Sequence, residues 1–532
     1  MAKKSFVQGA VVLGIAGIII KVLGAFFRIP LANLIGSEGM GYYQTAYPVY
    51  VLFLTLATAG IPIAISRMVS ERIAVHQYAE AHKVFKVSFI LLFAIGAVSA
   101  SICFFGAGAL VNSMGNPGAR YAMMAIAPAL LFVPVQAAYR GYFQGMQDMR
   151  PTAISQVTEQ MCRVGCGLFL AYYLVRFGRQ QAAAGASFGA TAGAIGGIIT
   201  VIILYYMARK GIKGRIAEAG APAMEKSSDI LGKIFIIAIP ITIGAAIMPI
   251  MNAIDVAIVM SRLQATGWTE DAANSMYGQL TGMAGPLINF PQVLTQAVAM
   301  SLVPAVAAAF KVQDMEHLRE NVKTGLRMSI IIGFPCALGL MSLSKPIMML
   351  LYPMQRESAI SAAPCLFIMA FGVIFLSTVQ TLTGVLQGVG KQMIPVRNLF
   401  IGAIFKVIIT YTLTGVEFIN VKGAAIGTVA AYFIAASLNV MAVKKYTGAN
   451  FDLGLTYIKP GISTLVMSAA TVLAYKVMSL AFGNALSTLV AVGVAMVTYC
   501  LMLFVTRCIT REEISGLPKG RLILKVLDKF HR

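Results

Sequence analysis

KVLGAFFRIP, residues 21–30, lies inside the first long apolar run of the chain, 7–35, and carries two cations. Lys21 and Arg28 are seven residues apart, two turns of an α-helix, so they share one face. The run is long enough to cross a bilayer's hydrocarbon core. It continues without a small-residue cleavage site, so it is expected to remain as the first span rather than leave as a signal peptide. Pro30 marks a point where this helix can bend.

The rest of the chain repeats that character. Of 532 residues, 58% are hydrophobic and 12% charged, about half the charge of an average soluble domain. We read fourteen apolar segments of spanning length, near 7–35, 43–66, 87–111, 121–139, 152–175, 182–208, 234–261, 277–309, 328–352, 360–388, 394–415, 421–443, 460–481 and 486–506. Lysines and arginines in the alternate polar segments number 30 on one side and 6 on the other. This asymmetry places both termini in the cytoplasm. The net charge of +22 is therefore a signal of topology and of attraction to anionic lipid, not of nucleic-acid binding.

These segments predict an all-α polytopic membrane protein with fourteen transmembrane helices. An N-lobe over 1–208, a basic cytoplasmic linker over 209–233 and a C-lobe over 234–443 would be followed by two further helices over 444–507. A basic amphipathic tail over 508–532 reads as an interfacial helix. The lobes look related. RGYFQGMQDMRPTAISQVTEQMCRV (140–164) aligns with TGVLQGVGKQMIPVRNLFIGAIFKV (383–407) at an offset of 243, matching Gly141 with Gly384, Gln144 with Gln387, Gly145 with Gly388 and Arg163 with Lys406. Two six-helix lobes in this relation form a parallel repeat about an axis along the membrane normal.

Charged groups within the spans point to function, because each costs about 2.5–3.5 kcal/mol at mid-membrane and needs a partner or a wet cavity. The set is Lys21 and Arg28 in span one, Glu159 and Arg163 in span five, Asp255 in span seven and Lys406 in span eleven. Cations outnumber acids, which suits a polyanionic cargo. Glu159 and Arg163, spaced i,i+4, equally suit a structural ion pair. Arg67 and Arg140 sit at cytoplasmic helix ends, where a topology role is the plainer alternative. Asp255, with no counter-charge nearby in sequence, fits either a coupling-ion or proton site or a pair with a cation on another helix. No P-loop, kinase set, HExxH or GxSxG is present, and the histidines and cysteines form no metal-ligand pattern. A carrier without its own ATPase is expected, not an enzyme, and no cofactor.

IIIKVLGAFFRIPLANLIGSEGMGYYQTAYPVY (18–50), AGIPIAISRMVSE (59–71), the 140–164 stretch and GVLQGVGKQMIPVRN (384–398) resemble the SpoVB/YtgP-type polysaccharide-biosynthesis proteins of Gram-positive bacteria. These are relatives of the lipid II flippase MurJ in the multidrug/oligosaccharidyl-lipid/polysaccharide exporter superfamily. The resemblance implies alternating access and outward movement of a lipid-linked cell-wall precursor. It makes Lys21 and Arg28 a cationic pair facing a central cavity and Arg67 the basic residue ending helix two. It makes Asp255 the helix-seven acid of a sodium site, with Asn398 a weaker companion. In GPLINFP (285–291), Pro286 stands where many MurJ sequences have arginine, so Arg163 or Lys406 would supply that charge.

The expected cargo is then lipid II, an undecaprenyl-pyrophosphate-linked glycan held by Lys21, Arg28, Arg67, Arg140, Glu159, Arg163 and Lys406. Asp255 and Asn398 would serve ion coupling, with Na+, H+ or the membrane potential as driving force. The expected location is the bacterial cytoplasmic membrane, with membrane lipids and cell-wall synthesis enzymes as partners. Flippases for a spore-cortex, teichoic-acid or capsule precursor, a cation-coupled drug antiporter and a non-transporting scaffold for wall synthesis remain alternatives.

Overall fold

A computed structural model describes residues 2–218, 225–506 and 508. The described residues are almost wholly helical and contain no strand. That is what an apolar chain must do in lipid, where each backbone N–H and C=O needs a partner within its own segment.

By packing, the chain divides into two units, one reaching as far as Met283 and including Thr414–Val421, the other holding Ala284–Leu413 and the chain from Lys422. The first contains α1 (Ala2–Thr58), α2 (Ile61–Ala74), α3 (Tyr78–Phe105), α4 (Ala107–Ser113), α5 (Arg120–Ile126), α6 (Ala129–Gly145), α7 (Arg150–Leu174), α8 (Arg179–Glu218), α9 (Ser227–Ala265) and α10 (Glu270–Gly278). The second contains α11 (Gly285–Lys311), α12 (Met315–Ser342), α13 (Ser344–Leu351), α14 (Arg356–Gly388), α15 (Met393–Thr414), α16 (Lys422–Thr447), α17 (Lys459–Ala481) and α18 (Asn484–Val505). Packing groups α9 and α10 with the first unit, whereas the lobes read from the sequence rest on the repeat, which is a different division. Most of the stretch read as a linker is helical: α8 continues to Glu218 and α9 begins at Ser227. The tail from 509 lies outside the described residues.

Among the described residues, twelve helical segments are long and apolar enough to span a membrane. The expected spans 7–35 and 43–66 fall on one of them, Ile19–Ala74. Inside α1 the helix breaks at Gly36, whose φ of 73° and ψ of −179° no helix accommodates. The expected span 152–175 is α7, a helix of 25 residues that is not among the twelve, because Glu159, Gln160 and Arg163 interrupt its apolar sequence.

The chain after Gly36 is fastened to α10 by close contact and buried polar bonds. A methyl at Gly278 would fall 1.9 Å from the Ser37 carbonyl, and one at Gly41 would fall 2.2 Å from Asn274 Oδ1. Asn116 donates to Thr45 at 2.7 Å and to Asn274 at 2.8 Å, and Asn274 donates to the Glu38 carbonyl at 2.9 Å. Ser37 and Ser275 share a further bond of 2.7 Å.

The internal repeat is present in the backbone. After α6, the N–H groups of Gln147 and Asp148 donate to Gln144 and Phe143; after α14, those of Gly390 and Lys391 donate to Gln387 and Leu386. Gln147 and Gly390 both have positive φ, 62° and 76°. Each corner is seated alike, since a methyl at Gly145 would meet Val69 Cβ at 2.7 Å and one at Gly388 would meet Val306 Cβ at 2.9 Å. A second pair of corners, after α2 and α11, matches too. His76 (φ 61°) and Gln313 (φ 58°) donate to carbonyls three residues back, and Gln77 and Asp314 to carbonyls five back.

Candidate substrate site in the first unit

The charged residues of α6 and α7 meet around one carboxylate. Glu159 Oε2 accepts from Arg140 Nη2 at 3.0 Å and from Gln136 Nε2 at 3.0 Å. Its Oε1 accepts from Arg163 Nη2 at 3.2 Å. Arg140 is held further by Ser155 Oγ at 2.9 Å and by Gln136 Oε1 at 3.1 Å. The side chains of Arg140, Glu159 and Arg163 are only 12%, 14% and 18% exposed. At that depth charges keep most of their Coulomb interaction, so one carboxylate shared by two guanidiniums leaves a net positive site.

Local sequence explains the arrangement. Gln136 and Arg140 are one helical turn apart on α6, as are Ser155, Glu159 and Arg163 on α7. Glycines 185, 189, 193 and 197 recur every fourth residue of α8 and lie against α7, or against Gln136 beside it. A methyl at Gly189 would sit 2.7 Å from the Arg163 carbonyl, one at Gly193 2.6 Å from the Glu159 carbonyl, and one at Gly197 2.4 Å from Gln136 Oε1. Only residues without side chains let two backbones approach this closely.

α1 adds an aromatic wall. Tyr43 and Tyr47 stack with ring centroids 5.8 Å apart, and Tyr50 follows at 6.0 Å from Tyr47. Arg163 lies within electrostatic reach of all three rings, and Arg28 within reach of Tyr43. Arg28 is half-buried and forms no hydrogen bond or ion pair among the described residues. One tyrosine thus stands near both the paired cation and the cation that has no counter-ion among the described residues.

Of the residues chosen from sequence, the structure gathers Arg28, Arg140, Glu159 and Arg163. Lys21 is exposed on α1, two turns before Arg28. Arg67 lies apart, its side chain 65% exposed and paired with Glu71 at 2.8 Å on the outer face of α2. Asp255 is buried on α9 in the electrostatic neighbourhood of Tyr277. Lys406 and Asn398 belong to the second unit. Lys406 is half-buried on α15. Asn398 is fully buried, donating to Asn439 at 2.9 Å and accepting from Arg397 at 3.2 Å. Sequence reasoning passed over Gln136, Ser155 and the three tyrosines. Their signals were the i,i+4 spacing of Gln136 with Arg140 and the helical stripe 43, 47, 50.

A family model described as polysaccharide biosynthesis protein matches residues 6–310. The chain belongs to that family. A second model, MatE, matches residues 240–412. Among similar proteins of Bacillus subtilis, stage V sporulation protein B is 25% identical over 99% of this chain and 100% of its own length. Lipid II flippase MurJ is 26% identical over 90% of this chain and 89% of its own. Among solved structures, lipid II flippase MurJ in an inward closed conformation superposes with a TM-score of 0.68 at 15% identity, covering 93% of this chain and 99% of that one. An inward-facing multidrug resistance MATE family transporter of the MOP superfamily gives 0.67 at 15% identity, over 81% and 94%. This member of the polysaccharide biosynthesis family is therefore a multi-pass membrane protein with the fold of MOP-superfamily transporters.

Proposed function

We propose that the protein is a flippase that carries lipid II, or a closely similar undecaprenyl-pyrophosphate-linked glycan, from the inner to the outer leaflet of the bacterial cytoplasmic membrane. The observation that carries this reading is the buried, net-cationic cluster of Arg140, Glu159 and Arg163, with Arg28 half-buried nearby and unpaired among the described residues. A diphosphate is the part of such a cargo that guanidinium groups hold best, through charge-assisted and bidentate hydrogen bonds. Tyr47, half-buried near Arg163, would offer its ring to the sugars, with the buried Tyr43 and Tyr50 packed beside it. Lys21 would make first contact, Arg67 would serve entry at the cytoplasmic end, and Lys406 would receive the charge when the lobes rock.

Asp255 would couple transport to Na+, to H+ or to the membrane potential, with Asn398 in support. Both termini would face the cytoplasm, where wall-synthesis enzymes could dock, and the protein would serve peptidoglycan synthesis and cell shape. It would be a carrier and no enzyme. A cation-coupled drug antiporter fits less well, because the cluster carries more positive than negative charge. A second reading, a spore-cortex or other polyprenyl-linked precursor as cargo, is favoured by the full-length match to stage V sporulation protein B.

The test is lipid II accessibility at the outer leaflet of cells in which this protein is the sole flippase. Wild type should expose lipid II, and Arg28→Ala and Arg163→Ala at equal membrane abundance should not. Full exposure by both variants would overturn the site, and no exposure by the wild type would overturn lipid II as cargo.

A further inference from the structure

A polar cavity of about 240 Å3 lies between the start of α3 and the end of α8. Its polar lining is His82 and Lys86 from α3 with Tyr205, Tyr206, Arg209 and Lys213 from α8. His82 and Lys86 are one helical turn apart, and so are Tyr205, Arg209 and Lys213, so each helix turns one face to the space. Among the described residues, three cations line it and no carboxylate does. Arg209 sits 5.6 Å from the centre of the Tyr206 ring. The His82 ring is wedged near Phe85 and Tyr142, at 5.7 and 5.9 Å, with Nδ1 buried and unbonded among the described residues.

The surroundings identify the source of the anion. One turn beyond Lys86, α3 exposes Ile90 and then Phe93. On α8, Ile203 and Ile199 are exposed on the membrane side of Arg209. Both helices thus pass from cations to bare apolar surface, and on α8 Tyr205 and Tyr206 stand between the two, the order of headgroup, interface and acyl chain in a bilayer leaflet. A free phosphate would answer the cations and leave that apolar strip unused. We propose that this cavity binds the phosphate of an anionic phospholipid, from the leaflet that the lysine and arginine distribution assigns to the cytoplasm. It is separate from the Glu159 cluster and does not depend on the identity of the cargo.

The test titrates the purified full-length protein in mild detergent with phosphatidylglycerol or phosphatidylcholine and follows the thermal unfolding midpoint. Phosphatidylglycerol should raise the midpoint where phosphatidylcholine does not. The double variant Arg209→Gln/Lys213→Gln should need about thirtyfold more of it, given the contribution of each basic residue near an anionic lipid. Arg209 and Lys213 are exposed, so their replacement leaves the fold intact. Lys444→Gln/Lys445→Gln removes the same charge elsewhere and should titrate as wild type. The proposal is overturned if the Arg209/Lys213 variant titrates as wild type or if both double variants weaken alike. It is overturned also if millimolar inorganic phosphate reproduces the phosphatidylglycerol shift.

Discussion

Gln147 and Gly390, 243 residues apart, occupy one backbone geometry, with φ of 62° and 76° and N–H groups donated to the carbonyls of Gln144 and Gln387. Glycine takes that conformation freely, whereas a side chain there costs about 1–2 kcal/mol. Gln147→Gly should raise the thermal midpoint and Gly390→Ala should lower it. Unfolding of both variants in the same detergent measures the difference, and shifts of equal sign would show that the corners are not equivalent.

Glu159 is the common acceptor of Arg140 and Arg163. Glu159→Ala leaves two buried guanidiniums without their carboxylate and should destabilise the protein by about 3–5 kcal/mol. Glu159→Gln keeps an acceptor and should lose less. Thermal unfolding ranks the three proteins, and an unchanged midpoint for the alanine variant would show that water already solvates the cluster.

Arg28, by contrast, supports nothing among the described residues, so its removal should spare stability. One charged hydrogen bond to a bound diphosphate is worth about 1.5–3 kcal/mol. Arg28→Ala should therefore reduce transport about tenfold or more at an unchanged unfolding temperature. Equal loss of both would return Arg28 to a structural role.

The glycine ladder of α8 makes a prediction about packing alone. Gly189→Ala would place a methyl 2.7 Å from the Arg163 carbonyl and the Gly167 Cα, both backbone atoms that cannot rotate away. Overpacking of this kind costs about 1–3 kcal/mol. Gly165→Ala, where the added methyl meets nothing within 4 Å, is the matched control in the same unfolding measurement.

Glu225 ties the start of α9 to the α2–α3 corner. Lys233 and Arg72 donate to its carboxylate, Lys83 donates to its carbonyl, and its own N–H donates to Glu80 at 2.7 Å. The hydrogen bond from Lys233, joined by that from Arg72, holds its carboxyl below the usual range despite burial. A depressed acid stabilises the fold fully above its unfolded value, about 4.3, and that contribution fades as pH falls through the lower folded value. Wild type should thus lose stability on acidification below about pH 4 more steeply than Glu225→Gln. Parallel pH profiles would remove Glu225 from the account.

The helical fold was legible from hydropathy because lipid permits few other arrangements. The repeat showed through Gly145 and Gly388, which the backbone needs at closely packed corners. The ion pair of Glu159 with Arg163 was visible as i,i+4 spacing. Arg140 joins them from a different helix, and nothing along the sequence announces a contact across nineteen residues and a turn. Arg67 looked similar to Arg140 in sequence, each being a cation near a helix end. Packing separates them: α7 covers one, and solvent covers the other. The sequence reading also counted α7 as a span, 152–175, although Glu159, Gln160 and Arg163 keep it out of the twelve most apolar helices among the described residues.

That polarity bears on how the protein is made. α7 carries Glu159, Gln160 and Arg163 into the bilayer and would enter lipid reluctantly by itself. Gln136 and Arg140 are already synthesised when it emerges, and the α8 glycines follow within a few tens of residues. Insertion of α7 is in effect a joint event of three neighbouring helices. Substitutions within the cluster will therefore be felt at the translocon and by quality-control proteases before they are felt by cargo. The amount of protein reaching the membrane is the first quantity that any such variant changes.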